Sequence, residues 1–264
     1  MNKDFLNKPI LHGRSLCGEF FNSGKFKKVR VPKKLHIVTV VDNPEGMALA
    51  RSKCNIHTIH VDIFKNWMTK IESVFNYMSA NYDILPRYIM YLDGYDTLII
   101  NKLPNIGKLL SYYKCKVLFN CEYGYWNTGP CEVAAKHPEY YTSLLTYYKA
   151  EYITHNINKY GFEQPVEPSL NAGAFVGEKS YIFNLLKHCI YLSKADASFG
   201  FPFGCLDDQN MLKYLHLKNF DDISIDVFHK LFFWGTSQSL DDERSDASPD
   251  YFRKIKNNYD EILI

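Results

Sequence analysis

Strongly apolar runs alternate with amphipathic segments along the middle of the chain. Leu35 to Val41 (LHIVTVV) and Tyr88 to Leu92 (YIMYL) consist mainly of β-branched, aliphatic and aromatic residues, a pattern typical of strands buried on both faces. Between them lie a predicted strand at residues 56–61 and a predicted helix at residues 65–81, where apolar positions recur with helical spacing. This order predicts an α/β fold with a Rossmann-type, mostly parallel central sheet flanked by helices.

The pattern continues towards the C-terminus, with two irregular stretches. Apolar spacing predicts two further helices and two further strands, at residues 105–113, 179–194, 116–120 and 223–228. Residues 132–160 are Tyr-rich and mostly helical in character, and a Pro-containing loop follows them. The small residues of segment 170–177 (LNAGAFVG) allow a close backbone approach to a ligand, although a strand with a bulge would have the same composition.

The chain is long enough for one large core. It has 264 residues, of which 46% are hydrophobic, and this favours a single globular domain. We place that domain at residues 35–235. Residues 1–34 are predicted to form an N-terminal arm, and residues 236–264 a C-terminal tail packed on the domain.

Composition argues against several classes of function. The 31 basic residues are interspersed with 29 acidic ones, so the net charge of +2 gives no indication of a nucleic-acid partner. The seven cysteines are odd in number and form no C-x-x-C pair, which indicates a reducing compartment such as the cytoplasm. No apolar run reaches transmembrane length, and the N-terminus lacks the apolar core of a signal peptide.

Two carboxylates follow the second buried strand directly. Asp93 and Asp96 belong to the turn Asp93-Gly94-Tyr95-Asp96, and ligands of open parallel sheets bind just beyond the carboxyl ends of the strands. Acids three residues apart on a turn can converge on one hard divalent cation, which prefers oxygen ligands. The alternative is an Asx turn that merely closes the strand.

Several other polar residues follow predicted strands or loops. Asn171 can bond a ligand hydroxyl, and Asp207 and Asp208 are either ligand-binding acids or acids that cap a helix. His229 stands at the end of the predicted strand 223–228, whereas most of the other histidines need no special role. Trp126 is either a core residue or an aromatic platform at the edge that carries Asp93.

Six segments occur in the same order as in a known family. They resemble the glycosyltransferase domain of the multifunctional procollagen lysyl hydroxylases, which has a GT-A fold and uses UDP-sugars. The segments are IVTV (37–40), LDGYD (92–96), NCEYGYW (120–126), LNAGAFVG (170–177), LDDQ (206–209) and ISIDVFHK (223–230). Each is weak alone, but the six in order span most of the predicted domain.

The resemblance implies roles for individual residues. Asp93, Asp96 and His229 would hold Mn2+, and two carboxylates with one imidazole suit that ion. Tyr95 and the strand residues Thr39, Val40 and Val41 would line the nucleotide site, and either Lys65 or Lys70 would approach the phosphates. The sugars would be contacted by the remaining candidates, Trp126, Asn171, Asp207 and Asp208.

The sequence also departs from the family. The glycine-rich stretch before the phosphate-side lysine is missing, Phe228 stands where an Asp normally precedes the metal-binding His, and the acidic run is cut to Asp207 and Asp208. No HGNG-like phosphate loop appears before Ile264, and no hydroxylase domain is attached. These departures affect the acceptor more than the fold.

The resemblance therefore implies a Mn2+-dependent hexosyltransferase that moves glucose or galactose from a UDP-sugar to a hydroxyl. The acceptor would be hydroxylysine or galactosylhydroxylysine of a collagen-like protein, with tyrosines such as Tyr152 stacking on its rings or else packing a helix. Two alternatives stay open: a transferase of the same fold acting on another glycan or a small acceptor, and a catalytically silent nucleotide-sugar-binding protein. The chain could also form a homodimer.

Overall fold

The computed structural model describes residues 9–12, 28–123, 150–161, 168–194, 208–218 and 221–234. Within these residues the chain forms nine strands, listed here in chain order: β1 Ile10–His12, β2 Leu35–Val41, β3 His57–His60, β4 Tyr88–Leu92, β5 Thr97–Ile99, β6 Val117–Tyr123, β7 Pro168–Glu178, β8 Ile223–Ile225 and β9 Phe232–Trp234. The predicted tail lies outside the described residues, as do most of the Tyr-rich residues.

Six of these strands form the central sheet, in the order β3-β2-β4-β7-β6-β8. Five of them run parallel to one another, and only β7 is antiparallel to its neighbours β4 and β6. The predicted mixed α/β architecture with a mostly parallel sheet is therefore confirmed. The core lies along the middle strands, where the Phe175 ring packs between Tyr91 and Phe119 with centroid distances of 5.2 Å and 5.1 Å.

Helices flank this sheet. They are α1 Met68–Asn81, α2 Ile106–Tyr112, α3 Lys179–Lys194 and α4 Asp208–Lys218, and residues 150–160 are also helical. Helix α1 packs on β2 and α3, and α4 packs on β7 and α3. The predicted start of α1 at residue 65 is wrong by three residues, since the helix begins at Met68. Just before it, the Asn66 side chain accepts the Met68 N–H (3.0 Å) in a local turn.

A second, smaller sheet has the order β5-β1-β9. Its middle strand, β1, comes from the predicted N-terminal arm and pairs antiparallel with β5 and parallel with β9. Since β5 follows the Asp93–Asp96 turn directly, this sheet brings residues 10–12 to the carboxyl end of β4.

The last strand of the central sheet is shorter than predicted. Instead of running over residues 223–228, β8 ends at Ile225. The carboxylate of Asp226 accepts the backbone N–H groups of Lys230, Leu231 and Phe232 at 2.7–2.9 Å, and this folds residues 226–232 into a turn. The buried Tyr113 hydroxyl also donates to the same carboxylate.

A buried histidine joins α4 to the rest of the fold. His216 is fully buried, and its Nδ1 lies 2.9 Å from the Tyr152 hydroxyl, which also accepts the Leu170 N–H at 3.1 Å. Burial, together with the positive charges of Lys159 and His155, lowers the pKa of His216 well below its ordinary value. The imidazole is therefore neutral in the folded protein at neutral pH.

This burial predicts acid sensitivity. Below the ordinary histidine pKa of 6.5 the unfolded chain binds a proton at His216 that the folded chain does not, so stability falls as the pH falls. Below pH 6.5 the unfolding free energy of the wild type should fall more steeply with falling pH than that of His216→Asn. The difference in slope should be up to about 1.4 kcal/mol per pH unit. Urea unfolding between pH 7 and pH 5 measures it, with Asn in place of the exposed His188 as the matched control. Equal pH dependence in wild type and His216→Asn would contradict a neutral buried imidazole.

Candidate metal centre

The LDGYD segment forms a tight turn against the end of β2. Strand β4 stops at Leu92, and the Asp93 N–H donates to the Gly173 carbonyl of β7 at 2.7 Å. A Cβ on Gly94 would lie 2.6 Å from Val41 Cγ1 and 3.1 Å from Thr39 Oγ1, so only glycine lets the turn approach β2 this closely. Asp93 and Asp96 are thus fixed at the carboxyl end of the strand.

A histidine from β1 completes a group of three possible metal ligands, His12, Asp93 and Asp96, which we call the metal group. Ligand atoms of His12, Asp93 and Asp96 all lie within 4.8 Å of one another, and His12 Nε2 is 3.7 Å from Asp96 Oδ2. The imidazole is buried, whereas the two carboxylates are half-buried and reachable from solvent. Thr97 Oγ1 lies 3.1 Å from His12 Nδ1, and a hydrogen bond donated by that nitrogen leaves Nε2 as the ligand atom.

The space around these side chains suits a cation. A Cβ added at Gly173 would lie 2.4 Å from His12 Cε1 and 2.7 Å from Asp93 Oδ2, so the absence of a side chain there keeps the ligands accessible. Two carboxylates and one imidazole are ligands that Mn2+ and related divalent ions accept. The described residues can therefore bind a metal ion at this position.

The predicted ligand His229 is not part of this group of three. Its ring is buried in the turn that follows β8, where Nδ1 lies 2.9 Å from the Phe232 carbonyl and the ring meets Phe233 edge-on. The residue has a φ of 47°, an unusual backbone conformation for a histidine. Its role as a metal ligand stays a prediction.

A buried ion pair adjoins the metal group. Lys70 Nζ lies 2.8 Å from Asp208 Oδ2 and 3.5 Å from Asp93 Oδ1, and the Tyr91 hydroxyl donates to the latter oxygen at 2.6 Å. Of the two candidate lysines it is thus Lys70 that reaches the acids, whereas Lys65 is exposed. Asp208 lies in the first turn of α4 and has a specific cationic partner in Lys70.

Charge and burial oppose each other in this pair. Burial alone would lower the pKa of the Lys70 amine, but the carboxylates of Asp208 and Asp93 outweigh it and raise that pKa above its ordinary value. Burial raises the pKa of the Asp208 carboxyl, and the ammonium of Lys70 opposes that rise. The two charges therefore stabilise each other inside the protein.

A second buried network holds Asn171. Its Nδ2 donates to Glu122 Oε2 at 2.9 Å, and its Oδ1 accepts the Gly173 N–H at 2.9 Å. Gln209 donates to Glu122 Oε1 at 2.7 Å and accepts the Ala172 N–H at 3.1 Å. Asn171 and Gln209 thus fix the backbone around Gly173, while the predicted contact of Asn171 with a sugar stays a prediction.

The LNAGAFVG segment forms a strand with an irregular register. Phe119 pairs with Phe175, but the next residue of β6, Asn120, pairs with Asn171, so residues 172–174 of β7 have no partner in β6. This irregularity agrees with the interpretation as a strand with a bulge. Gly173 lies in it, beside His12 and Asp93, whereas the close approach to a ligand stays a prediction.

The predicted nucleotide residues lie around the end of β2. The Tyr95 hydroxyl accepts the N–H groups of Asp42 at 3.1 Å and Asn43 at 2.8 Å and donates to the Asp42 carboxylate. This hydrogen bond lowers the pKa of Asp42. Thr39 and Val41 face the Gly94 turn, and Val40 is buried in β2. Trp126 and Asp207 lie outside the described residues.

The sequence pattern does not predict His12 or Glu122 as residues of the site. The only signal for His12 is a histidine after the apolar pair Ile10-Leu11 and before Gly13, and nothing local shows that this tripeptide pairs with residues 97–99. Glu122 was part of a recognised segment, but its burial depends on β6 continuing beyond the predicted end at residue 120. Tyr152 is buried and hydrogen-bonded, so it packs its helix and is not a stacking surface.

No protein-family profile matches this sequence, and no curated protein does. Among the helices that the structure describes, none has the length and apolar character needed to cross a membrane.

The metal group predicts direct binding of a divalent cation, for which Mn2+ is a suitable probe. We expect His12→Ala, Asp93→Ala and Asp96→Ala each to weaken Mn2+ binding by more than about tenfold, because each removes one of three ligands. The electron paramagnetic resonance signal of free Mn2+ measures binding without any substrate, and circular dichroism checks the fold.

His229→Ala is the informative comparison. If His229→Ala loses as much Mn2+ affinity as His12→Ala, His229 is a fourth ligand. If His229→Ala binds Mn2+ like wild type, the ligands are His12, Asp93 and Asp96. Unchanged binding in His12→Ala would contradict the metal centre described above.

Proposed function

We propose that this protein is a Mn2+-dependent glycosyltransferase of the GT-A type that transfers glucose or galactose from a UDP-sugar to a hydroxyl. The observation that carries this proposal is the convergence of His12, Asp93 and Asp96 at the carboxyl end of β4, beside the buried pair of Lys70 and Asp208. In open α/β sheets this edge is where ligands bind.

The donor side of the proposal depends on charge. A bound divalent ion would bind the diphosphate and offset the negative charge that develops on the UDP leaving group. The chain itself provides the rigid edge for the nucleoside, since Tyr95 fixes the loop at Asp42 and Asn43. Gly94 lets the turn that carries Asp93 and Asp96 pack against Thr39 and Val41 of β2. The two carboxylates therefore lie near the loop that follows this strand.

The transfer breaks the bond between the anomeric carbon and the phosphate oxygen and forms a bond from that carbon to the acceptor oxygen. UDP leaves with the bonding electron pair, and the proton of the acceptor hydroxyl passes to the released diphosphate or to solvent. Carboxylates at the site can assist by accepting a hydrogen bond from that hydroxyl. We assign this role to Asp208, because its carboxylate and that of Asp93 contact the same Lys70 amine.

For the acceptor we propose hydroxylysine or galactosylhydroxylysine in a collagen-like chain. The support is the resemblance of six ordered segments, including LDGYD and LNAGAFVG, to the glycosyltransferase domain of procollagen lysyl hydroxylases. A collagen-like acceptor is extended and rich in proline, so it requires an open groove beside the donor site.

The proposal predicts metal-dependent turnover. We expect release of UDP from UDP-glucose or UDP-galactose in the presence of Mn2+, its loss with EDTA, and its loss in Asp93→Ala and Asp96→Ala because the leaving group is no longer neutralised. A coupled assay for UDP measures this. Full turnover by metal-stripped protein would contradict the metal-dependent mechanism, and binding of UDP-sugar without turnover would identify a silent binding protein.

The acceptor requires a separate experiment. Labelled hexose should pass to a hydroxylated collagen peptide, or to its galactosylated form, but not to the unhydroxylated peptide. Equal labelling of free galactose and of the galactosylated peptide would show that the protein recognises the sugar and not the peptide. Turnover with no labelled collagen peptide would overturn the collagen assignment and retain the transferase.

Asp208 should matter for the chemical step. At saturating Mn2+, we expect Asp208→Asn to reduce turnover about 100-fold, the effect of losing about 3 kcal/mol of electrostatic help, with little change in affinity for UDP. Steady-state kinetics and calorimetric titration with UDP measure the two quantities. If Asp208 only stabilised its helix, the substitution would lower the melting temperature and leave turnover unchanged.

A further inference from the structure

Lys70 is a buried cation placed between two acids from different parts of the fold. Its side chain is 7% exposed, and it extends from the first turn of α1 to Asp208 at the start of α4 and to Asp93 at the end of β4. The rings of Tyr91 and Trp67 lie 5.7 Å and 6.0 Å from its amine. The ammonium therefore has little water to stabilise it, and it depends on these carboxylates.

The two oxygens of Asp93 face different partners. Oδ1 accepts from Tyr91 and lies 3.5 Å from Lys70 Nζ. Oδ2 lies on the side of Gly173, against which His12 also packs. The Asp93 carboxylate thus belongs to the metal group and also contacts the buried ammonium of Lys70. A divalent ion bound to the metal group would repel that ammonium, and the low polarity of the surroundings would strengthen the repulsion.

We propose that Lys70 is a positioning residue that couples the metal centre to Asp208. It shares its charge between Asp93 and Asp208 while the metal is absent, weakens cation binding at Asp93, and pairs with Asp208 alone when a divalent ion binds. The nearer contact with Asp208, 2.8 Å against 3.5 Å, already favours that partner.

The coupling has a consequence for the acid. A Lys70 drawn towards Asp208 holds that carboxylate ionised and fixed when the metal is bound. The coupling itself needs only the metal group, whereas its use in hexose transfer depends on the proposed function. The two can therefore fail separately.

The test is a double-mutant cycle read by Mn2+ affinity in the absence of any nucleotide sugar. We expect Lys70→Met to bind Mn2+ about tenfold more tightly than wild type, because the repelling charge is gone. Asp208→Asn should bind it about tenfold more weakly, because Lys70 is left with Asp93 as its only described carboxylate partner. Lys70→Arg keeps the charge and should bind Mn2+ like wild type.

The double variant separates coupling from direct ligation. In the Lys70→Met background, Asp208→Asn should weaken Mn2+ binding clearly less than it does in wild type, because the ammonium that it would leave to Asp93 is gone. The substitution also removes the unpaired buried carboxylate that destabilises Lys70→Met. If Asp208 were itself a ligand, Asp208→Asn would weaken binding equally in both backgrounds. That result would overturn the proposal, as would equal or weaker binding in Lys70→Met or an absence of Mn2+ binding in every variant.

Activity assays on the same proteins distinguish this proposal from the proposed function. A cycle with the expected signs in a protein that transfers no hexose would retain the coupling and overturn the transferase. Hexose transfer with no energetic coupling between residues 70 and 208 would do the opposite.

Discussion

The hydrogen bond from the Asp93 N–H to the Gly173 carbonyl is the contact on which the candidate site depends. It exists because β7 runs antiparallel between two strands that are parallel to each other. The N-terminal half of β7 consequently lies at the carboxyl ends of β4 and β6. Asn171 and Gly173 meet Asp93 on one side and Glu122 on the other, and Gln209 of α4 is anchored to the same stretch of backbone.

This edge of the sheet concentrates negative charge that the fold must balance. Glu122 and Asp208 are almost completely buried, and each has a buried lysine nearby, Lys213 at 3.4 Å and Lys70 at 2.8 Å. Buried ion pairs of this kind rarely add much stability compared with apolar residues, but removing one partner is strongly destabilising. The lysines therefore make the carboxylates tolerable inside the protein and fix their orientation.

The sequence predicted those features that depend on local pattern. The buried strands β2 and β4, the α/β architecture and the position of Asp93 and Asp96 at a strand end all follow from apolar runs that stop at a turn. Features that depend on distant pairing could not be read this way. His12 belongs to the site only because β1 pairs with β5, and His12 and its partner Thr97 are 85 residues apart. Strand β8 ends early because the Asp226 carboxylate binds backbone N–H groups of the residues that follow.

The position of β1 between β5 and β9 has a consequence for the order of events during synthesis. His12 leaves the ribosome long before Thr97, and the strand that closes the small sheet, Phe232–Trp234, leaves more than 100 residues later still. Since long-range pairing is slow and follows the local structure of each part, the three ligands are held together only when nearly all of the described chain is in place. Metal binding would then become possible only late in folding. A cation that binds there would stabilise completely folded molecules but not incomplete ones.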